Sequence, residues 1–381
     1  MRPLPVRSPL AAYDAQAREL ADAFHAGDAE AVRRVWHNHP RFLDETVRWL
    51  PKPLSEEEVR RAPFDRDDAR LALARWYDFQ DWHQLEALVQ AVNDDRSAVS
   101  RFESAVEAVI DGDVSALSSS LRAHPELVRE RSTRVTRFDP PRHRATLLHY
   151  LAANGVEEHR QRTPPNAVAV ATMLLGEGAD PDALAEMYGS RCTTLSMLVS
   201  STPPSQAGLQ IPLVETLVAF GASIEPLGSG SWTSPLLTAL VFGFRQCAEA
   251  LVRLGARVDT LAAAAGLGMV DEVGRRLPAA SSDDRHRALA LAAQLGETEV
   301  VRLLLDAGED PNRYNPPAAH AHATPLHQAV AGGRDGVVRL LVDRGARLDV
   351  KDRIYQSTPL GWAVYCNQPA IADYLRARGA P

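Results

Sequence analysis

The densest reactive chemistry in this chain lies between residues 129 and 166, RERSTRVTRFDPPRHRATLLHYLAANGVEEHRQRTPPN. Up to Arg162 the stretch holds eight arginines against Glu130, Asp139, Glu157 and Glu158, a local surplus of four positive charges. Guanidinium forks match carboxylate or phosphate, so Arg142, Arg144 and Arg160 are candidate contacts for an anion. The competing reading is a solvated loop whose arginines pair with acidic neighbours. His143, His149, Tyr150, Asn154, Glu157, His159 and Asn166 share the stretch. Acid–base groups beside a fork and an amide suit a small-molecule site, although no nucleophile–base pair is recognisable among them.

Elsewhere the chemistry is thinner. His320-Ala-His322 places two imidazoles close together, but no carboxylate or cysteine completes a metal spacing nearby. There is no G-x-S-x-G, Walker A, H-E-x-x-H or C-x-x-C pattern, and Gly228-Ser-Gly-Ser231 lacks the lysine of a phosphate loop. Cys192, Cys247 and Cys366 are too scattered for a disulfide framework or a clustered cysteine zinc site. No cofactor and no metal are expected, and binding is expected rather than catalysis.

The chain has 381 residues, a net charge of -7, 24% charged and 45% hydrophobic residues. That balance excludes a wholly disordered chain and disfavours bulk attraction to nucleic acid or an anionic membrane. No apolar run approaches the roughly 18 to 20 residues of a membrane span, so a cytoplasmic location is expected. Lysine occurs only at Lys52 and Lys351, and isoleucine five times, a bias expected of a GC-rich bacterial gene.

A recurring unit must position these groups. Its clearest copy is TPLHQAVAGGRDGVVRLLVDRGARLD from Thr324, and TPLGWAVYCNQPAIADYLRARGA follows from Thr358. Earlier copies start at Thr146, Thr193 and Ser234, and degenerate ones at Thr260 and Arg287. Glycines follow the second apolar stretch at Gly178, Gly221, Gly255, Gly345 and Gly379, where a left-handed helix stop is predicted. The pattern resembles the ankyrin repeat family, whose period is about 33 residues with a T-P-L-H-x-A helix start. The resemblance implies an all-α solenoid of stacked helix pairs joined by β-hairpin-like fingers. It covers residues 100–381 as about eight units, two of them with inserted proline-stiffened loops at 156–167 and 202–212. Steps of 26 and 27 residues between Leu236, Ala262 and Leu289 imply two units without fingers, where a binding surface is expected to be interrupted. The resemblance also assigns His149 and His327 to hydrogen bonds with a finger.

Residues 1–99 are expected to form an N-terminal helical capping region. A helix pair broken at Gly27-Asp28, whose shape residues 102–128 repeat with Gly112-Asp113 at the break, an amphipathic pair with Trp76, Tyr77, Phe79 and Trp82, and a Ser55–Glu58 capping box are its signals.

By position, the resemblance implies binding of an unidentified protein through finger tips and first-helix ends. That surface takes in Arg142, His143, Asn154, Tyr188, Phe242, Tyr355 and Tyr365, of which Phe242, Tyr355 and Tyr365 are the expected anchors. Arg144, Glu157, Arg160 and Asn166 would add an acidic or otherwise anionic contact. The alternative is an enzyme or a binder of a small anion, with a pocket formed by residues 142–166 and 188–204.

Overall fold

The computed structural model describes residues 2–381, in two compact units that meet in sequence at Ala222 and Ser223. Helices dominate both. In the first, α1 (Leu10–His25) and α2 (Ala29–Asn38) reverse at Gly27-Asp28, where the Asp28 carboxylate accepts from the Ala31 amide. The expected capping box at Ser55 and Glu58 opens α3 (Glu56–Arg61). A second box, Asp65 with Asp68, opens α4 (Arg66–Trp76), and Asp81 caps α5 (Trp82–Val92). These five helices bury Tyr13, Leu20, Phe24, Val32, Leu73, Tyr77 and Phe79 in one cluster. Helix α5 then lies against α6 (Ala98–Asp111), which reverses into α7 (Val114–Ala123). Gly112 makes that reversal at φ 72°, and a Cβ there would meet the Asn166 side chain.

The rest of the first unit holds α8 (Leu147–Tyr150), α9 (Ala167–Gly176), α10 (Thr194–Leu198), α11 (Thr202–Gln206) and α12 (Gln210–Ala219). Strands β1 (Ala185–Met187) and β2 (Ser190–Cys192) pair antiparallel, with Ala185 opposite Cys192. Tyr188 and Gly189 join them at φ 51° and 69°, the left-handed pair that a two-residue hairpin turn requires. The two inserts differ in kind. The first carries a short 3-10 turn at Glu158–Arg160. The second is no loop: Thr202-Pro203-Pro204 begins α11, because proline's fixed φ and missing N–H suit a first helical turn.

In the second unit the helix pairs are α13 (Pro235–Val241) with α14 (Arg245–Arg253), α15 (Leu261–Gly266) with α16 (Val270–Arg276), and α17 (Ser282–Leu295) with α18 (Thr298–Asp306). They continue as α19 (Pro325–Ala331) with α20 (Asp335–Asp343) and α21 (Pro359–Tyr365) with α22 (Pro369–Ala377). Side chains of Ser234, Thr260 and Thr358 accept from the third helical amide, which fixes where α13, α15 and α21 begin. Leu261, Val301, Leu304, Leu326, Leu341 and Leu375 belong to a core running through the pairs from α15 to α22. The five glycine stops have φ between 85° and 108°, as the sequence predicts. No extended segment separates α16 from α17, so the fingers are missing where the short steps place the loss.

Candidate functional site

The arginine-rich stretch folds inward. Arg160 is 1% exposed, its Nη2 lying 2.6 Å from Glu103 Oε2 and 3.1 Å from Glu107 Oε1. Glu157 is wholly buried, 3.3 Å from Arg134 Nε and 3.2 Å from His143 Nε2. Burial pushes the Glu157 carboxyl upward, but the Arg134 guanidinium, with His143 and Arg160, holds it well below the usual range. Arg134 also donates to the Tyr77 carbonyl at 2.6 Å. Arg137 pairs with buried Asp78 at 3.0 Å, and Asp78 accepts from the Glu158 amide at 2.6 Å. Burial raises Asp78 to about 6 against the pull of Arg137.

This arrangement corrects the expectation of an open fork at Arg160. Its anion positions are filled by Glu103 and Glu107 from α6 and by Glu157, so residues 157–160 fasten the chain to helices that precede them. His143, Tyr150 and Glu157, which the enzyme reading places around a pocket, are buried and line neither of the two clefts of this unit. The smaller cleft, about 410 Å³, is lined by His159, Arg160 and Arg162 together with Tyr13 and Leu85 of the N-terminal helices, and the larger, about 1200 Å³, by Arg137, Asp139 and Glu158 together with Arg33 and Arg75.

The remaining candidates of the first unit scatter. Arg142 and Arg144 are exposed and form no ion pair among the described residues. Asn154 and Tyr188 come together: the Tyr188 hydroxyl donates to Asn154 Oδ1 at 2.8 Å, and Asn154 Nδ2 donates to Ser200 Oγ at 2.8 Å. Asn166 stands apart, donating to the Gly112 carbonyl at 2.8 Å. His149 takes the structural role, with Nδ1 2.9 Å from Thr146 Oγ1 and Nε2 3.4 Å from the Cys192 carbonyl. A carbonyl only accepts, so the proton sits on Nε2 and Nδ1 is left to accept from threonine. His327 repeats the arrangement with Thr324 and the Ser357 carbonyl, reaching in each case the finger of the following repeat.

In the second unit aromatic rings form a continuous row. Trp232 and Phe242 lie 5.2 Å apart between centroids, Phe242 and His320 6.5 Å, and His320 and His322 6.2 Å. His322 then meets Tyr355 at 6.1 Å and Trp362 at 5.9 Å. Phe242 is 42% exposed at the end of α13, Tyr355 54% at the turn before α21, and Tyr365 91% at the end of α21. The turn is rigid because buried Asp352 accepts from the Ile354, Tyr355 and Ser357 amides and from Trp362 Nε1 at 3.0 Å. Those donors outweigh burial and hold its carboxyl below the usual range.

The row is not interrupted where fingers are missing. The segment between α18 and α19 crosses the gap, and His320 Nε2 donates to the Val241 carbonyl at 2.9 Å. Gln294 Nε2 donates to the same carbonyl at 2.8 Å. His320 and His322 are half-buried ring partners, and among the described residues no group of His, Cys, Asp and Glu could hold a metal ion. Sequence reasoning missed Trp232, His320, His322 and Trp362 as members of the row. The pair His320-Ala-His322 was the visible signal, but its partner Val241 lies 79 residues away.

Residues 289–380 match a family model described as ankyrin repeats, three copies. An ankyrin repeat-containing protein of Treponema pallidum is 40% identical over 95 residues, 25% of this chain and 30% of that protein. The mouse (Mus musculus) ankyrin repeat and SAM domain-containing protein 6 is 32% identical over 103 residues, 27% of this chain and 11% of that protein. Among solved structures, the human ASB11 ankyrin repeat domain is similar at 21% identity, covering 73% of this chain and 98% of that chain with a TM-score of 0.37. The chain spans 10 to 30% of the length of the first curated relatives it matches. No helix among the described residues is long and apolar enough to cross a membrane.

Proposed function

Since the chain belongs to the ankyrin repeat family through residues 289–380, and ankyrin repeats are protein–protein interaction modules, we propose that it binds a partner protein along the ring row of its second unit. The observation that carries this reading is the row itself: Phe242 and Tyr355 are large, exposed and seated on a rigid aromatic base, and Tyr365 is exposed at the end of α21. Aromatic side chains lose little freedom when covered and dominate binding hot spots. A scattered exposed aromatic needs no explanation, whereas a connected row backed by Trp232 and Trp362 marks a contact surface. Phe242, Tyr355 and Tyr365 anchor the partner, and His320 holds the middle of the row in place.

The test is recovery of a partner from the organism of origin by the full chain, compared with the Phe242→Ala, Tyr355→Ala, Tyr365→Ala triple variant. Each truncation is expected to cost about 2 kcal/mol or more of binding. Undiminished recovery by a triple variant that keeps its helical spectrum would overturn the assignment.

A further inference from the structure

Three arginine–aromatic dipeptides, Arg48-Trp49, Arg75-Trp76 and Arg137-Phe138, come from separate stretches of the first unit and line one cleft of about 1200 Å³. They lie on the loop after α2, at the end of α4 and between α7 and α8, so the helix-pair repeat does not require them. Both loops are held in shape without a ligand. In the first, Leu43 bridges Pro51, the Asp44 amide donates to the Leu50 carbonyl, and the Asp44 carboxylate accepts from the Thr46 and Val47 amides. In the second, the Thr136 amide and hydroxyl both donate to the Pro141 carbonyl, at 2.6 and 3.1 Å. Trp49 is 60% exposed and Phe138 41% exposed.

The charges in the cleft are unevenly matched. Arg34 pairs with Glu30 and lies 4.4 Å from the Trp76 ring centroid, while Arg137 is committed to Asp78 and Glu158. Arg33 and Arg48 form no ion pair or hydrogen bond among the described residues, and Arg75 donates only to the Asn38 carbonyl. Burial and the neighbouring Arg137 act against the charge on Arg75, a like-charge tension that an incoming anion relieves.

We propose that this cleft binds a short acidic peptide segment bearing an aromatic side chain. Its volume exceeds the roughly 300 to 1,000 Å³ that suits a single small molecule, which favours an extended occupant. Carboxylates of the segment pair with Arg33, Arg48 and Arg75, and its ring packs on Trp49 or Phe138. Glu30, Asp139 and Glu158 line the same cleft. They repel a phosphate chain charged at every nucleotide more than a segment with only a few carboxylates, and they accept hydrogen bonds from its peptide N–H groups. The site is separate from the ring row of the second unit, so either can fail alone.

A random heptapeptide display library panned against the full chain, with an Arg33→Glu/Arg48→Glu variant and a labelled dT7 oligonucleotide run alongside, tests this. The expected enrichment is for peptides with two or more Asp or Glu and one Trp, Tyr or Phe. A synthetic copy should bind the charge-reversed variant at least ~30-fold more weakly, about 2 kcal/mol, and should weaken as salt rises. Trp49→Ala should remove the preference for an aromatic residue. All three substitutions are exposed, and an unchanged melting curve shows that the fold survives them. No enrichment, enrichment without acidic residues, enrichment that survives charge reversal, or tighter binding of the oligonucleotide than of any peptide overturns the proposal.

Discussion

Arg160 and Arg144 belong to one arginine-rich stretch and answer the same substitution differently. Removing the Arg160 guanidinium leaves Glu103 without its closest counter-charge inside the protein, so Arg160→Ala is expected to cost about 3 to 5 kcal/mol. Arg144 is exposed and forms no ion pair among the described residues, so Arg144→Ala should change stability by no more than about 0.5 kcal/mol. Urea melts of the two variants check this, and equal losses would contradict the burial of Arg160. Histidines set the response to acid. Burial lowers His149 to about 3, from an ordinary 6.5, and also lowers His327 and His159. The unfolded chain therefore takes up protons below about 6.5 that the folded chain refuses, so stability is full above that pH and drains as pH falls toward 3. Glu157, held low, adds to the loss once pH passes below its ordinary 4.5. Asp78, raised from 3.8 to about 6, works in the opposite sense between those values, as do Glu107 and Glu309, whose carboxyls burial also raises, but burial also lowers His37, His39, His286 and His322, so the lowered imidazoles outnumber the raised carboxyls. The urea midpoint should fall steadily from pH 7 to pH 5, and a flat or rising profile would contradict the buried neutral histidines.

At the scale of elements, what was legible is what the backbone decides locally. Threonine or serine at a helix start and glycine at its stop announce themselves because capping and a positive φ restrict the residue type. Long-range partners do not. Nothing near Arg160 in sequence names Glu103, and nothing near His320 names Val241, so burial of the first and reach of the second were invisible. Thr202-Pro203-Pro204 misled in another way, since proline suits both a stiff loop and a first helical turn, and packing decided for α11. The second-helix core was legible, and Leu341→Ala in α20 should cost about 2 to 5 kcal/mol by leaving a cavity. A loss below about 1 kcal/mol in denaturant would mean that the position is not core. His320→Ala removes one donor from the Val241 carbonyl, which keeps Gln294, so the expected stability loss is only about 0.5 to 1.5 kcal/mol. Partner affinity should fall more than stability does, and calorimetry on the variant separates the two.

For the molecule as a whole, residues 1–99 are tied to the arginine-rich stretch by polar contacts as well as by packing. Tyr77 and Asp78 supply the carbonyl and carboxylate that hold Arg134 and Arg137, while α5 covers α6. Deleting residues 1–95 should strip both at once, leaving a chain that aggregates on size-exclusion chromatography. A monomeric remainder with an unchanged melt would show that the N-terminal region folds as an independent domain. The segment between α18 and α19 constrains the second unit on another timescale. In a gene made of tandem copies, unequal crossing-over adds or deletes a whole unit at little cost. Here His320 must still meet Val241, so a copy gained or lost between α13 and α19 would carry the two out of reach. The two fingerless copies are therefore expected to be inherited as a block, their number fixed by the span of one loop, and relatives with a different count there should lack a histidine at the matching position.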